Sequence, residues 1–261
     1  MKASQKAMIY KDIKEITGDK QVLLPMLIVP LVMMIVLPLG LMIGARFGVS
    51  GLNGMDMMIK RFSGLLHYEN QSQFIVELGV NYMFPVLFLL IPVMASCIIG
   101  ASSFVVEKEK KTIETLLYTP MTIKDLFISK VLGTFVPAYT VALVSAIAFG
   151  IIVNIGGWVY FGRLIFPNVK WIILILWVAP AATLLGISFM VLISAKAHTF
   201  QEAQQMSGFI VLPLIMLLLG QMTGLLMLNS LVMIILGTGL YIIDIILIRN
   251  AVEKFVPERL L

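Results

Sequence analysis

EKEKKTIETLLYTPMTIKDLFISK, residues 107–130, is a charged stretch between two long apolar runs, 81–105 and 131–154. Each run is long enough to cross a bilayer, since about 20 apolar residues suffice. The polar segment between them must then lie at one face of the membrane, where it can contact soluble molecules. The sequence therefore predicts a structured polar projection at the membrane surface.

The composition of the whole chain is typical of a membrane protein. Of its 261 residues, 60% are hydrophobic and 13% are charged, and the mean hydropathy is +1.01; a soluble domain carries about 25% charged residues. Backbone groups in lipid must be hydrogen-bonded internally, and no short alternating strands appear, so the spans are predicted to be helices. The predicted fold is an all-α polytopic membrane protein, a single domain over residues 1–261, with spans at 22–45, 81–105, 131–154, 170–195, 207–227 and 231–249.

Basic residues are distributed unequally between the predicted loops. With the N-terminus inside, five of the 19 lysines and arginines lie outside, and the other 14 lie inside. The positive-inside rule then predicts a multi-pass plasma-membrane protein with both termini in the cytoplasm. This topology explains the net charge of +5 without a nucleic-acid partner. The outer turn before the last span is predicted at Asn229–Ser230, with residues 220–224 as its rival.

Shorter elements flank the spans. Residues 3–17 form a basic amphipathic segment, predicted to be a helix in the lipid headgroup region that ends at Gly18. In the outer loop 46–80, apolar residues recur at helical spacing and predict a second, short interfacial helix. Pro120 interrupts the segment 107–130, and Thr122 with Asp125 predicts that a new helix begins at Ile123.

The stretch SSFVVEKEKKTIETLLYTPMTIKDLFISKVLG resembles the permease subunits of type-two ATP-binding-cassette (ABC) exporters. Those proteins carry an E-x-E-x-x-T-x-E-x-L-L-x-x-P segment after their second span. The amphipathic N-terminal segment and the six-span pattern extend the resemblance over nearly the whole chain. The matching residues here, which the resemblance assigns to ATPase docking, are Glu107, Glu109, Thr112, Glu114, Leu116, Leu117 and Pro120.

The resemblance implies a transporter subunit that is not itself an enzyme. Such permeases pair with a second copy or a paralogue, sit in membrane lipid and bind two cytoplasmic ABC ATPases. Residues 107–130 would form the cytoplasmic coupling segment, whose helix docks on the ATPase. The chain contains no G-x-x-x-x-G-K-[ST] loop, so ATP and magnesium are expected in the separate ATPase, and no cofactor is expected in this chain.

The roles of several further residues have two interpretations. Asp244, the acid deepest in an apolar span, either pairs with Arg249 or a nearby lysine, which is the favoured reading, or belongs to an ion path. Met55–Met58 is more typical of a helical apolar stripe than of a copper site. His198 lies in an inner loop that is either a solvated turn or a second ATPase contact. With one cysteine, Cys97, and two histidines on opposite sides of the membrane, no metal site is predicted.

The cargo is predicted from the character of the spans. Methionine-rich apolar spans and the lack of a large outer domain favour an amphipathic or apolar cargo: a peptide, a toxin, a drug or a lipid-like compound. Export of sodium or another ion is the alternative, and a membrane anchor or sensor that transports nothing is the alternative from another class. Polar or adaptable residues that interrupt the spans are candidates for the cargo path: Asn81, Tyr82, Met94, Tyr139 and Gln221.

Overall fold

The fold is described from a computed structural model covering residues 3–47, 70–110, 122–222, 226 and 228–254. Within these ranges the chain forms seven helices and no strand. Helix α1 is Ala3–Gly18, α4 is Ile123–Phe161 and α7 is Ser230–Lys254. The other four helices change pitch along their length, and their bounds follow.

Helix α2 consists of Lys20–Leu31, a π-helical stretch at Val32–Val36, and Leu37–Phe47. Helix α3 consists of Gln71–Leu78, a π-helical stretch at Gly79–Met83, Phe84–Gly100, a second π-helical stretch at Ala101–Val106, and Glu107–Glu109. Helix α5 consists of Val169–Ile173, a π-helical stretch at Leu174–Val178, and Ala179–Ser194. Helix α6 consists of Phe200–Ser207, a 3₁₀ turn at Gly208–Val211, and Leu212–Met222.

Six helices, α2 to α7, are long and apolar enough to span a membrane, which confirms the predicted all-α six-span fold. Two of them are longer than predicted: the second span is Ser72–Glu109 and the third is Asp125–Phe161. The second span is predicted to begin at Asn81 and the third just after Lys130, because hydropathy falls at these polar residues. The helices continue past these residues because their side chains find partners inside the bundle.

The predicted helix ends can be checked at three places. Helix α1 ends at Gly18, as expected. Thr122 accepts a hydrogen bond from the Asp125 amide at 3.1 Å, so α4 begins at Ile123 as its cap predicts. Asn229 accepts from the Val232 amide at 2.8 Å and caps α7, so the last span begins at the predicted turn. The second interfacial helix, predicted between residues 46 and 80, falls largely on 48–69, outside the described residues.

Helix α3 is the centre of the bundle. In its most apolar stretch 83% of the residues are buried, against 17% in α6 and in α7. Glycine allows α5 to approach it closely: a Cβ on Gly186 would lie 1.9 Å from Ser96 Oγ. Near the start of α5, the Trp171 ring packs against the rings of Phe88 and Phe149 and so joins α3, α4 and α5. The residues of α3 are therefore well placed to transmit changes to the other spans.

We call the end that carries α1 and Glu107 the inner end, after the orientation predicted from the basic residues. Helices α3 and α5 end there, and α4 and α6 begin there. The opposite, outer end carries the connection 162–168 between α4 and α5. Asn154 holds this connection in place, since it accepts hydrogen bonds from the amides of Ile165 and Phe166 and donates to the Phe166 carbonyl.

Candidate functional site

A buried ion pair closes the base of the segment between α3 and α4. The Lys130 ammonium donates to Glu107 Oε2 and, at 2.7 Å, to the Ser103 carbonyl. Glu107 is 4% exposed and Lys130 is 2% exposed. The first and the last residue of the segment 107–130 are thus tied together inside the protein. We call this pair the clamp.

Helix α1 joins the clamp from the side. Lys11 Nζ lies 3.2 Å from Glu107 Oε1 and 3.7 Å from Glu15 Oε2. One residue further along, Asp12 is 4% exposed and packs on α4 at Gly133, where an added Cβ would lie 2.9 Å from Asp12 Oδ2. The basic amphipathic segment of the sequence therefore contacts the base of the segment between α3 and α4.

The environment of Asp12 disfavours its charge. The pKa of this carboxyl is raised from 3.8 to about 6, mainly by burial; Lys130 and Lys11 lower it, and Glu107 and Glu15 raise it. Its Oδ2 has no hydrogen-bond partner among the described residues. Burying a carboxylate with an unsatisfied oxygen costs free energy, so packing alone does not account for an aspartate at this position.

The last turn of α3 also contacts the connection between α5 and α6. Glu109 Oε2 accepts from the Phe200 amide at 3.1 Å, and Lys108 donates to the Ser194 carbonyl at 3.2 Å. Thr199 caps α6, and the carboxylate of Glu202 accepts from the His198 amide at 2.8 Å. A cavity of ≈ 390 Å³ opens beside these contacts, lined in part by Asp19, Lys110 and Gln201.

The structure separates the residues of the predicted docking motif. Glu107 faces inward to the clamp, and Glu109 contacts the α5–α6 connection. Thr112, Glu114, Leu116, Leu117 and Pro120 lie outside the described residues. Docking by the motif therefore stays a prediction. The sequence interpretation missed Lys11, Asp12 and Lys130 as partners of the motif; the one signal for Lys130 was a lysine at the start of an apolar run.

Two of the predicted cargo-path residues belong to a polar cluster at the outer end. Asn81 donates to Glu77 Oε1 at 2.6 Å and accepts from Asn168 Nδ2. The Lys170 ammonium lies 4.3 Å from the centre of the Tyr82 ring. These contacts join α3 to the start of α5. Each polar group that is paired in this way has a structural role, so the cluster does not by itself define a path.

The other three cargo-path candidates lie elsewhere in the bundle. Tyr139 stacks on Phe135 and donates to the Ile175 carbonyl at 3.1 Å, between α4 and α5. Met94 is half-buried in the middle of α3. Gln221, near the end of α6, is 3% exposed, and its amide oxygen and nitrogen lack hydrogen-bond partners among the described residues. That these five side chains line one path stays a prediction.

The favoured expectation for Asp244 was wrong. The carboxylate does not pair with Arg249 or with any other described residue: it is 1% exposed, and neither oxygen has a hydrogen-bond partner in the described part of the chain. The pitch of α7 explains the error. Residues five positions apart project in directions well separated around a helix, so Arg249 is exposed to solvent while Asp244 faces the other spans.

Comparison with protein families decides the class of this molecule. A family model described as "ABC-2 family transporter protein" matches residues 7–254, which include most of α1, all six spans and the clamp. The chain belongs to the ABC-2 family. This confirms the resemblance seen in the exporter-like motif, and it makes the chain a multi-pass membrane component of an ABC transporter. Membership implies partnership with ABC ATPase subunits. Among curated proteins and among solved structures, none matches this chain significantly.

Proposed function

We propose that this ABC-2 permease exports an amphipathic or apolar cargo across the plasma membrane, driven by separate ABC ATPases that hold the ATP and magnesium. The N- and C-termini are cytoplasmic, and the inner end faces the ATPases. Residues 107–130 form the docking segment. A second permease subunit, identical or related, completes the cargo path.

The observation that carries this proposal is the position of the clamp. Glu107 and Lys130 lie on the two helices that enter and leave the docking segment, and they are joined in a buried pair. Because α3 is the most buried of the described spans, a force that acts on the clamp is applied directly to the centre of the bundle. Lys11 extends the same network to α1. A rigid base of this kind suits an element that transmits ATP-driven motion.

The proposed cargo class rests on the membrane-exposed surface. A single six-span bundle has limited room for a path through its middle, so we place the path at the interface between two permeases. Exposed apolar residues cover α6 and α7, including Phe209, Met216, Leu231 and Ile235. Apolar walls that contain methionine adapt to varied apolar guests.

Docking is tested by capturing the tagged permease from its native membrane and quantifying the ABC ATPase recovered with it. Replacing Glu114 and Leu117 with alanine should reduce ATPase recovery at least tenfold, because each residue lies in the family docking motif. The matched control replaces Lys6 and Tyr10, two exposed residues of α1, with alanine. Full recovery with the Glu114/Leu117 variant, in a folded protein, would exclude docking through this segment.

A second function, export of sodium, is favoured by one observation. Asp244 is a carboxylate in the last span whose two oxygens have no partner among the described residues, as expected for a group that binds a transported cation. Sodium export predicts that ATP hydrolysis requires sodium and is abolished by Asp244→Asn. Export of amphipathic cargo predicts that hydrolysis responds to cationic peptides or drugs and persists in Asp244→Asn.

A further inference from the structure

The cavity between α1 and the clamp has features that the transport function leaves unexplained. It is lined by Asp12, Glu15, Ser103 and Glu107, with Ser102 and Ile16 beside them. Oxygens of the three carboxyl groups lie within 4.8 Å of one another. Two polar atoms in this wall, Asp12 Oδ2 and Ser103 Oγ, are buried and have no hydrogen-bond partner among the described residues. Asp12 and Ser103 are only 4% and 8% exposed.

The charges around Asp12 do not balance when every group is ionised. From α1, Lys11 and Glu15 face the cluster; from α3, Glu107; and from α4, Lys130. Three carboxylates then oppose two ammonium groups, which leaves one negative charge in excess. Both oxygens of Glu107 already accept from an ammonium group. The excess is therefore assigned to Asp12, whose Oδ2 is unsatisfied.

The size of the cavity restricts what can neutralise this charge. Its volume is ≈ 10 Å³, about the least space in which one water fits. A metal ion would need several oxygen ligands around it and would lie beside two ammonium groups. A proton on the carboxyl needs no space, and it converts Asp12 into a donor.

We propose that Asp12 is a proton-binding site, and that a proton bound there strengthens the seating of α1 against the clamp. In the seated state, helix α1 packs against α4, the Asp12 side chain lies in the cavity, and Gly133 contacts that side chain. When the carboxyl is neutral, burial costs little; when it is ionised, the same position leaves a buried charge without enough partners. Lowering the pH therefore favours the seated helix.

The direction of the pH dependence follows from linkage. The pKa of Asp12 is raised by burial to about 6 in the seated state and has its ordinary value of about 4 in an unseated helix. Protonation then contributes fully to seating below about pH 4, and this contribution is lost as the pH rises to 6. One carboxyl whose pKa differs by about two units between the seated and the unseated helix changes the seating equilibrium on the order of 100-fold.

Hydrogen exchange of the permease in nanodiscs tests this site, with α1 amide rates divided by their intrinsic rates at each pH. In the natural protein, protection of α1 should fall on the order of 100-fold between pH 4 and pH 7. Asp12→Asn, which mimics the protonated carboxyl, should remove this dependence and give higher protection than the natural protein at pH 7. Glu15→Gln, the matched control in the same helix, should keep the dependence, since Glu15 is half-exposed.

Infrared spectra of the same samples give a direct readout of the proton. In an Asp244→Asn background, which removes the other buried carboxyl that lacks a partner among the described residues, the C=O band of a protonated carboxylic acid that titrates near pH 6 should be lost when Asp12→Asn is added. Lower protection of Asp12→Asn at pH 7 would overturn the proposal, because it would show that the ionised carboxylate seats the helix. A band that titrates near pH 6 and persists when Asp12→Asn is added to the Asp244→Asn background would also overturn it, as would a midpoint that moves when sodium replaces choline at constant ionic strength.

Discussion

At the scale of single residues, the clamp is the most consequential finding. A lysine at 2% exposure and a glutamate at 4% exposure form a pair that is costly to bury and costly to break. The sequence motif points to Glu107 as a docking residue. The structure turns its side chain inward, toward Lys130 and Lys11. A motif records which residue types recur, whereas the direction of a side chain depends on the phase of its helix.

Removing one partner of the clamp should destabilise the protein. Lys130→Met leaves Glu107 buried with Lys11 as its remaining described ammonium partner, so we expect a loss of about 3–5 kcal/mol in the free energy of unfolding. Thermal unfolding of the purified permease in detergent measures the effect. Lys6→Met, on the exposed face of α1, is the control and should change stability by less than about 0.5 kcal/mol.

The double variant Glu107→Leu/Lys130→Met separates charge pairing from packing. Replacing both buried charges with apolar side chains of similar volume is often close to neutral. We therefore expect it to recover most of the stability lost in Lys130→Met. A double variant as unstable as the single one would show that the pair is not the source of the loss.

At the scale of the elements, the sequence predicted the type of each span but not its full length. Hydropathy is low around Asn81 and Lys130, and the predicted second span therefore begins at Asn81 and the predicted third span just after Lys130. The helices continue because Asn81 bonds Asn168, and Lys130 bonds Glu107. Such partners come from distant parts of the chain and from other helices, so a window of local sequence does not contain them. The caps at Thr122 and Asn229 were predictable because they are local.

The contact between α1 and α4 gives a prediction at this scale. Gly133→Ala would place a Cβ 2.9 Å from Asp12 Oδ2 and 3.2 Å from Asp12 Cβ, so the Asp12 side chain must shift or the two helices must move apart. We expect a loss of about 1–3 kcal/mol in stability, together with faster hydrogen exchange throughout α1. Gly239→Ala in α7 is the matched control, since a Cβ there meets nothing within 4 Å. It should be neutral or should stabilise by up to about 1 kcal/mol. Equal exchange of α1 in both variants would contradict the close approach at Gly133.

At the scale of the whole molecule, the sequence predicted the class and the number of spans. It did not predict which span is central. The spans are apolar on most of their faces, so no stripe distinguishes the side that faces protein from the side that faces lipid. The cargo-path residues were chosen for polarity in an apolar span. In the structure several of these polar groups, Asn81 and Tyr139 among them, are paired within the bundle.

A path between two permeases predicts that one face of the bundle meets its counterpart in the membrane. Single cysteines at Ile28, Ile147, Met216 and Ile235, all exposed and on four different helices, sample the surface in a Cys97→Ala background. One of these positions should crosslink to a second permease in native membranes while the others do not. No crosslink from any exposed face, together with a monomeric mass in nanodiscs, would argue against a two-fold path.

The most direct test of the account is ATP hydrolysis by the permease–ATPase complex in proteoliposomes, measured with and without cationic amphipathic peptides. The account predicts that peptides stimulate hydrolysis several-fold in the natural complex, and that Glu114→Ala/Leu117→Ala abolishes the stimulation while the permease remains folded. The Lys6→Ala/Tyr10→Ala control should keep it. Stimulation that survives loss of the docking residues, or hydrolysis that depends on sodium and ignores the peptides, would contradict the central claim.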